Sequence, residues 1–237
     1  MYDPIELSTK IESHVIKNRV QKKYYRFRGA KYYGGISTAD VVGCNMYCHF
    51  CWVNPKVRHR YQTVGKFYGP EEVGERLVQI AKKAKFNRLR VSGGEPTIGE
   101  EHLIALLSSL DDFPYPFILE TNGMLLSQES YVKNLVNFNN LYVRVALKAA
   151  TPEIFSKVTG AVPAAYHYPL QALNLLIQNE IPCHASIIID FCTQEDLKCL
   201  ADQLKEISPD LVGQLEFESL ILYPHVVKGL KKIGLQF

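Results

Sequence analysis

Apolar positions along the chain recur in two alternating rhythms. Short apolar runs that suit buried strands are predicted over residues 36–43, 88–92, 117–121, 141–147, 185–189 and 215–222. Between them lie stretches spaced three and four, the rhythm of a helix packed on one face. The clearest covers 71–85, with Val73, Leu77, Ile80, Ala81 and Ala84 on one side and Pro70 at its start. Further helices are predicted over 100–110, 127–136 and 169–179, with a short basic one over 226–233. Thr151-Pro152-Glu153 reads as cap, first-turn proline and favourable acid. Thr193 and Asp196 have the spacing of a capping pair for a helix reaching about residue 207. Six strands, each followed by a helix, predict an α/β fold with parallel pairing and right-handed crossovers. The fold class expected is a partial (β/α)6 barrel of parallel strands with a short N-terminal extension.

The first 35 residues break this rhythm. Lys17, Arg19, Lys22, Lys23, Arg26, Arg28 and Lys31 are interleaved with Tyr24, Tyr25, Tyr32 and Tyr33. Residues 1–35 are therefore expected as a basic, tyrosine-rich extension ahead of a core over 36–237. Such a segment is either a solvated element packed on the core or a surface for an anionic partner.

Composition narrows the class. The 237 residues are 47 % hydrophobic and 22 % charged, an ordinary globular balance, and the net charge of +3 names no partner. No apolar run approaches the roughly 18 residues of a membrane span. The N-terminus lacks a basic region followed by an apolar stretch, so a cytoplasmic protein is expected. In that setting six cysteines point to metal or redox chemistry more than to disulfides.

The sharpest feature is Cys44-Asn45-Met46-Tyr47-Cys48-His49-Phe50-Cys51, at the end of the first predicted core strand. Thiolates are soft ligands suited to iron–sulfur clusters, Zn²⁺ or Cu(I). A structural zinc site wants four closed ligands, and His49 sits awkwardly between two cysteines. Three thiols without an obvious fourth suggest a cluster with one open iron.

The C-x3-C-x2-C triplet, with Phe50 before its last cysteine, resembles the signature of the radical SAM superfamily. Later segments follow in that family's order. Ser92-Gly93-Gly94-Glu95-Pro96 resembles its GGEP motif; Glu120-Thr121-Asn122-Gly123 and Val145-Ala146-Leu147-Lys148 resemble the D-T-N-G and D-L-K segments of the short-core, glycyl-radical activating enzymes and archaeal-type members. Ala146 departs from that pattern where those enzymes carry an acid. The resemblance spans roughly residues 36 to 225. It implies that Cys44, Cys48 and Cys51 bind a [4Fe–4S] cluster whose fourth iron is chelated by S-adenosylmethionine. Reductive cleavage would then yield a 5′-deoxyadenosyl radical that takes hydrogen from a substrate. It further implies that Phe50, Gly93, Gly94, Glu95, Glu120, Asn122 and Lys148 surround the cofactor. Glu95 is expected to present its carboxylate at the mouth, Glu120 to meet the ribose, and Lys148 to pair with the cofactor's carboxylate.

Asp190 and Cys192 follow the fifth strand, where such folds carry chemistry, and are the weaker catalytic candidates. His225 is a further one, while Cys183 and Cys199 read as core or helix residues. A flavodoxin or ferredoxin is expected as electron donor. The substrate classes left open are a protein or peptide, a tRNA or nucleotide, and a small metabolite. The alternative reading is a non-catalytic iron–sulfur or zinc protein.

Overall fold

In the computed structural model, which describes residues 1–236 apart from the side chain of His59, the chain opens with helix α1 (Pro4–Val15). Asp3 caps it by accepting from the amides of Ile5 and Glu6. Strands β1 (Ile16–Lys17), β2 (Gln21–Ala30) and β3 (Ile36–Val41) follow, then α2 (Pro55–His59) and β4 (Lys66–Tyr68). Helix–strand alternation takes over with α3 (Pro70–Ala84), β5 (Leu89–Gly93), α4 (Glu100–Ser109), β6 (Phe117–Thr121), α5 (Glu129–Lys133) and β7 (Leu141–Leu147). The chain finishes with α6 (Pro152–Thr159), α7 (His167–Gln178), β8 (Cys183–Ile188), α8 (Gln194–Ile207), α9 (Pro209–Gly213), β9 (Glu216–Glu218) and α10 (Pro224–Lys231).

Strands β3, β5, β6, β7, β8 and β9 pair in that order, all parallel. Strand β2 runs antiparallel beside β3, with β1 and β4 antiparallel to it. The first and last strands of this path do not pair, so the barrel is partial. The two faces of the sheet differ because strand side chains alternate. Ala39, Val41, Val91, Leu119, Val143, Val145 and Ile187 join an apolar core with Leu77 of α3, Leu106 of α4, Leu173 of α7 and Leu204 of α8. Burying each such leucine stabilises the fold by about 1.5–3 kcal/mol. The opposite face carries Asp40, Arg90, Ser92, Glu120, Arg144 and His184, with Glu120 opposite Arg144 and Arg144 opposite His184 in the ladder.

Several local expectations change. The strand predicted over 215–222 keeps only Glu216–Glu218 in the ladder, because the Leu220 amide donates to Asp190 instead, at 2.9 Å. The helix predicted over 127–136 shrinks to α5 after a 3-10 turn at Leu125–Ser127. Residues 21–30 are a sheet strand, not a solvated face. Lys22 and Lys23 are 1 % and 7 % exposed, and their ammonium groups donate to main-chain carbonyls. Thr193 and Asp196 do form a reciprocal capping box. Among the described residues no helix is long and apolar enough to cross a membrane.

Candidate cofactor site

The cysteine loop leaves β3 through Gly43, whose φ of +92° suits glycine. A Cβ there would lie 2.8 Å from Ile11 and 2.9 Å from Val15, so α1 packs directly on the entry to the loop. The loop is then fastened from several sides. The Tyr47 amide donates to the Tyr2 hydroxyl at 2.7 Å, and that hydroxyl donates to the Thr159 carbonyl. The His49 amide donates to the Val158 carbonyl of α6. Arg58 of α2 donates to the Cys48 carbonyl at 2.6 Å, and His225 of α10 donates to the Cys51 carbonyl at 3.3 Å. Gly229 of α10 lies so close that a Cβ would stand 2.1 Å from the His49 carbonyl oxygen.

Cys44, Cys48 and Cys51 are free thiols that feel one another. Burial, then the carboxylate of Glu95 and the other two sulfurs, pushes the Cys44 thiol well up. Burial pushes Cys48 up to about 11, against the pull of the nearby Lys148 ammonium. Converging buried thiols are costly to ionise together unless a cationic group joins them. The described residues hold no set of three His, Cys, Asp or Glu close enough for one metal ion. A multi-iron cluster does not ask three ligands to meet at one ion, because each thiolate binds its own iron.

The glycine pair after β5 closes on this loop. Gly93 has φ +97°, and a Cβ on Gly94 would lie 2.0 Å from the Gly43 carbonyl oxygen. The Glu95 amide donates to that same carbonyl at 2.7 Å. Glu95 does not present its carboxylate at the mouth, as the sequence suggested. It is 1 % exposed, and one oxygen accepts from the Thr97 amide and from the Thr97 and Thr121 hydroxyls. The other accepts from the Asn122 amide at 2.8 Å. Such donors fit the residues after the motif better than solvent does, so Glu95 pins two strand-end loops together. Beneath it, Lys22 donates to the carbonyls of Glu95, Pro96 and Ile98. Burial pulls this ammonium down to about 7.

Glu120 accepts from Arg90 at 2.8 Å and from Ser92 at 2.7 Å, keeping part of its carboxylate accessible. Asn122 donates to Asn45 at 2.7 Å and lies 3.9 Å from the Cys44 sulfur. Phe50 is buried, with its ring 5.0 Å from that of Phe191. Lys148 acts on Cys48 from the end of β7 and has no carboxylate partner among the described residues. Asp190 is exposed and holds the Leu220 amide. Cys192 is half-buried and donates weakly to the Ile188 carbonyl.

Sequence reading missed the charged lining of the inner face. Asp40, fully buried, accepts from Arg26 at 2.6 Å and Arg28 at 2.8 Å. Arg144 pairs with Glu216 at 2.7 Å and Glu218 at 2.9 Å, and His184 meets the same Glu216 oxygen. The signal was present: Arg90 and Ser92, Glu120, and Tyr142, Arg144 and Lys148 fall on alternate positions of otherwise apolar strands. Arg26 and Arg28, part of the basic N-terminal segment, both pair with Asp40.

Residues 40–204 match the family model described as the Radical SAM superfamily. The chain belongs to the radical SAM superfamily. It is a radical SAM enzyme, and the family uses a [4Fe–4S] cluster and S-adenosylmethionine, with an electron donor. Among similar proteins are a probable GTP 3',8-cyclase of Methanococcus aeolicus, 32 % identical over 49 % of this chain and 38 % of that protein. Another is the 7-carboxy-7-deazaguanine synthase of Methanothermobacter thermautotrophicus, 22 % identical over 62 % of this chain and 58 % of that one. The chain thus spans about half the length of these relatives, 38 % of one and 58 % of the other. In fold it resembles Streptococcus suis SuiB bound to precursor peptide SuiA, with a TM-score of 0.61 at 17 % identity over 82 % of this chain and 44 % of that one. It also resembles QueE from Escherichia coli, with a TM-score of 0.53 at 13 % identity over 95 % and 92 %. Asn45 Nδ2, buried without a hydrogen-bond partner among the described residues, and the three coupled thiols fit the cluster the family uses.

Proposed function

We propose that the chain holds a [4Fe–4S] cluster on Cys44, Cys48 and Cys51, cleaves S-adenosylmethionine there, and takes hydrogen from a small polar substrate on the inner face of the sheet. When bound, the cluster supplies the electron that breaks the sulfonium C–S bond, and the 5′-deoxyadenosyl radical released abstracts the hydrogen. The chain's own residues do the rest. Lys148 pairs with the carboxylate of S-adenosylmethionine, a charge-assisted contact. Gly93 and Gly94 let main chain approach its amino group. Glu120, steadied by Arg90 and Ser92, turns its accessible side to the ribose hydroxyls. Glu95 and Asn122 hold these loops in place. Phe50 and Phe191 wall the site from water. A flavodoxin or ferredoxin delivers the electron.

The observation that carries the substrate class is the charged inner face next to Lys148. Glu216 and Glu218 each spend one oxygen on Arg144, which leaves the other for a ligand's donors. That pattern suits a compact molecule with several polar groups, and the similar proteins named above are named for GTP and a deazaguanine. The test is anaerobic turnover with dithionite, S-adenosylmethionine and a panel of small polar heterocycles, GTP first. A panel member should stimulate 5′-deoxyadenosine formation, and Glu218→Gln should lose that stimulation while keeping the basal reaction. Stimulation by none of them would remove this substrate class.

A peptide substrate is the second reading. The open edge at β9 exposes Phe217, Ile221, Leu222 and Tyr223, and an extended peptide pairs with such an edge.

A further inference from the structure

We infer that Asn45 donates a hydrogen bond from its side-chain amide to a sulfur of the cluster, either the Cys44 thiolate or a bridging sulfide, and thereby sets the cluster's reduction potential. This rests on the reading that Cys44, Cys48 and Cys51 hold the cluster. Asn45 is fully buried, and its Oδ1 accepts from Asn122 Nδ2 at 2.7 Å. Its Nδ2 has no partner among the described residues. The amide cannot simply be turned over. Asn122 Oδ1 is engaged by the Met124 amide at 3.0 Å, so Asn122 must offer its NH2 group to Asn45. Flipping Asn45 would set two NH2 groups against each other. The orientation of Asn122 is in turn held by its own amide on buried Glu95.

A buried donor left unmet is costly, so this place in the fold calls for an acceptor. Sulfur belongs to the same loop: Asn45 directly follows Cys44, and Asn122 Nδ2, its anchor, donates to the Cys44 sulfur at 3.9 Å. A protonated thiol accepts weakly, whereas the sulfurs of a loaded cluster carry negative charge and accept well. Added electron density strengthens the bond, so the donor favours the reduced cluster and raises its potential. Asn45 is a positioning and tuning residue, with Asn122 and Glu95 as its supports.

The experiment is an EPR-monitored redox titration of the anaerobically reconstituted full chain, with iron and sulfide counted in each sample. Asn45→Ala should keep its cluster and shift the midpoint negative by up to about a tenfold change in the reduction equilibrium, about 59 mV for one electron. Asn45→Asp, which keeps the acceptor for Asn122 but replaces the donor by an anion, should shift it further in the same direction. Should these variants fail to load, pulsed EPR on the reduced wild-type protein, ¹⁵N-labelled at asparagine, decides. Because Asn122 Nδ2 already lies 3.9 Å from the Cys44 sulfur, two coupled side-chain amide nitrogens support the assignment, and one or none overturns it. Loaded variants with the wild-type midpoint also overturn it, the donor then serving only a buried water or the packing. A wild-type chain that takes up no iron and sulfide overturns the cluster reading and this inference with it.

Discussion

Around the ends of β3, β5 and β6 most polar side chains are buried and committed to one another, whereas around β8 and β9 they stand partly in solvent. On the first side, Glu95 is 1 % exposed and receives four donors, and Lys22 beneath it reads three carbonyls. On the second, Glu216 and Glu218 are each about two-fifths exposed, and the last strand is three residues long. The family match ends at residue 204, before that strand. The contrast separates two demands. A shared cofactor needs one rigid geometry, which a closed hydrogen-bond network supplies. A particular substrate needs an accessible, adaptable surface, which a short edge strand with spare carboxylate oxygens supplies.

The contrast can be broken at its strongest point first. Cys48→Ala should abolish the cluster's visible absorbance and all 5′-deoxyadenosine formation, while Cys192→Ala on the open side should retain both. A coloured, active Cys48→Ala chain would end the distinction. Next in size, Glu95→Ala should lower stability of the metal-free chain by about 3 kcal/mol in chemical denaturation, because buried donors lose their acceptor. Glu218→Ala, at the half-exposed edge, should cost less than about 1 kcal/mol. Equal losses would mean that the open side is as tightly built as the closed one.

Lys148→Ala should weaken S-adenosylmethionine binding by roughly 1–3 kcal/mol in calorimetry, whereas Glu218→Gln should leave it unchanged. A further difference is a pH slope. Burial lowers the Lys22 ammonium to about 7 in the folded chain, against 10.5 for the free side chain. Between those values the unfolded chain binds more protons, so stability from this group rises with pH over that window. Unfolding free energies of the wild type, compared with Lys22→Met from pH 7 to 10, should diverge upward. A difference that is flat or falls with pH would contradict the assignment.

Much of this was legible in the residues. The βα rhythm located the six parallel strands, because strands buried on a helix-covered face are apolar and helices between them carry one apolar side. The position of the cysteine loop, the glycine pair and Lys148 at the ends of β3, β5 and β7 was legible from the strand pattern. Other parts were hidden for physical reasons. β2 was obscured because Lys22 and Lys23 are charged yet buried, their cost offset by carbonyls that only the tertiary fold supplies. Helix α1 had its signals in Asp3, Pro4, Ile11 and Val15, but its partner, Gly43, is far along the chain. Glu95 was placed in the motif but not in its role, since a carboxylate's orientation depends on donors from another loop. Asn45 carries no signal inside the triplet, because a neutral amide becomes informative only when its neighbours are known.

On the proposed reading, three thiols hold a cluster whose remaining iron is open to S-adenosylmethionine. The most direct measurement is the EPR spectrum of the reduced, reconstituted chain before and after that cofactor is added. A [4Fe–4S]⁺ signal whose shape and g-values change on addition is the predicted result. A signal that stays the same at saturating S-adenosylmethionine, with the cluster fully loaded, would contradict it.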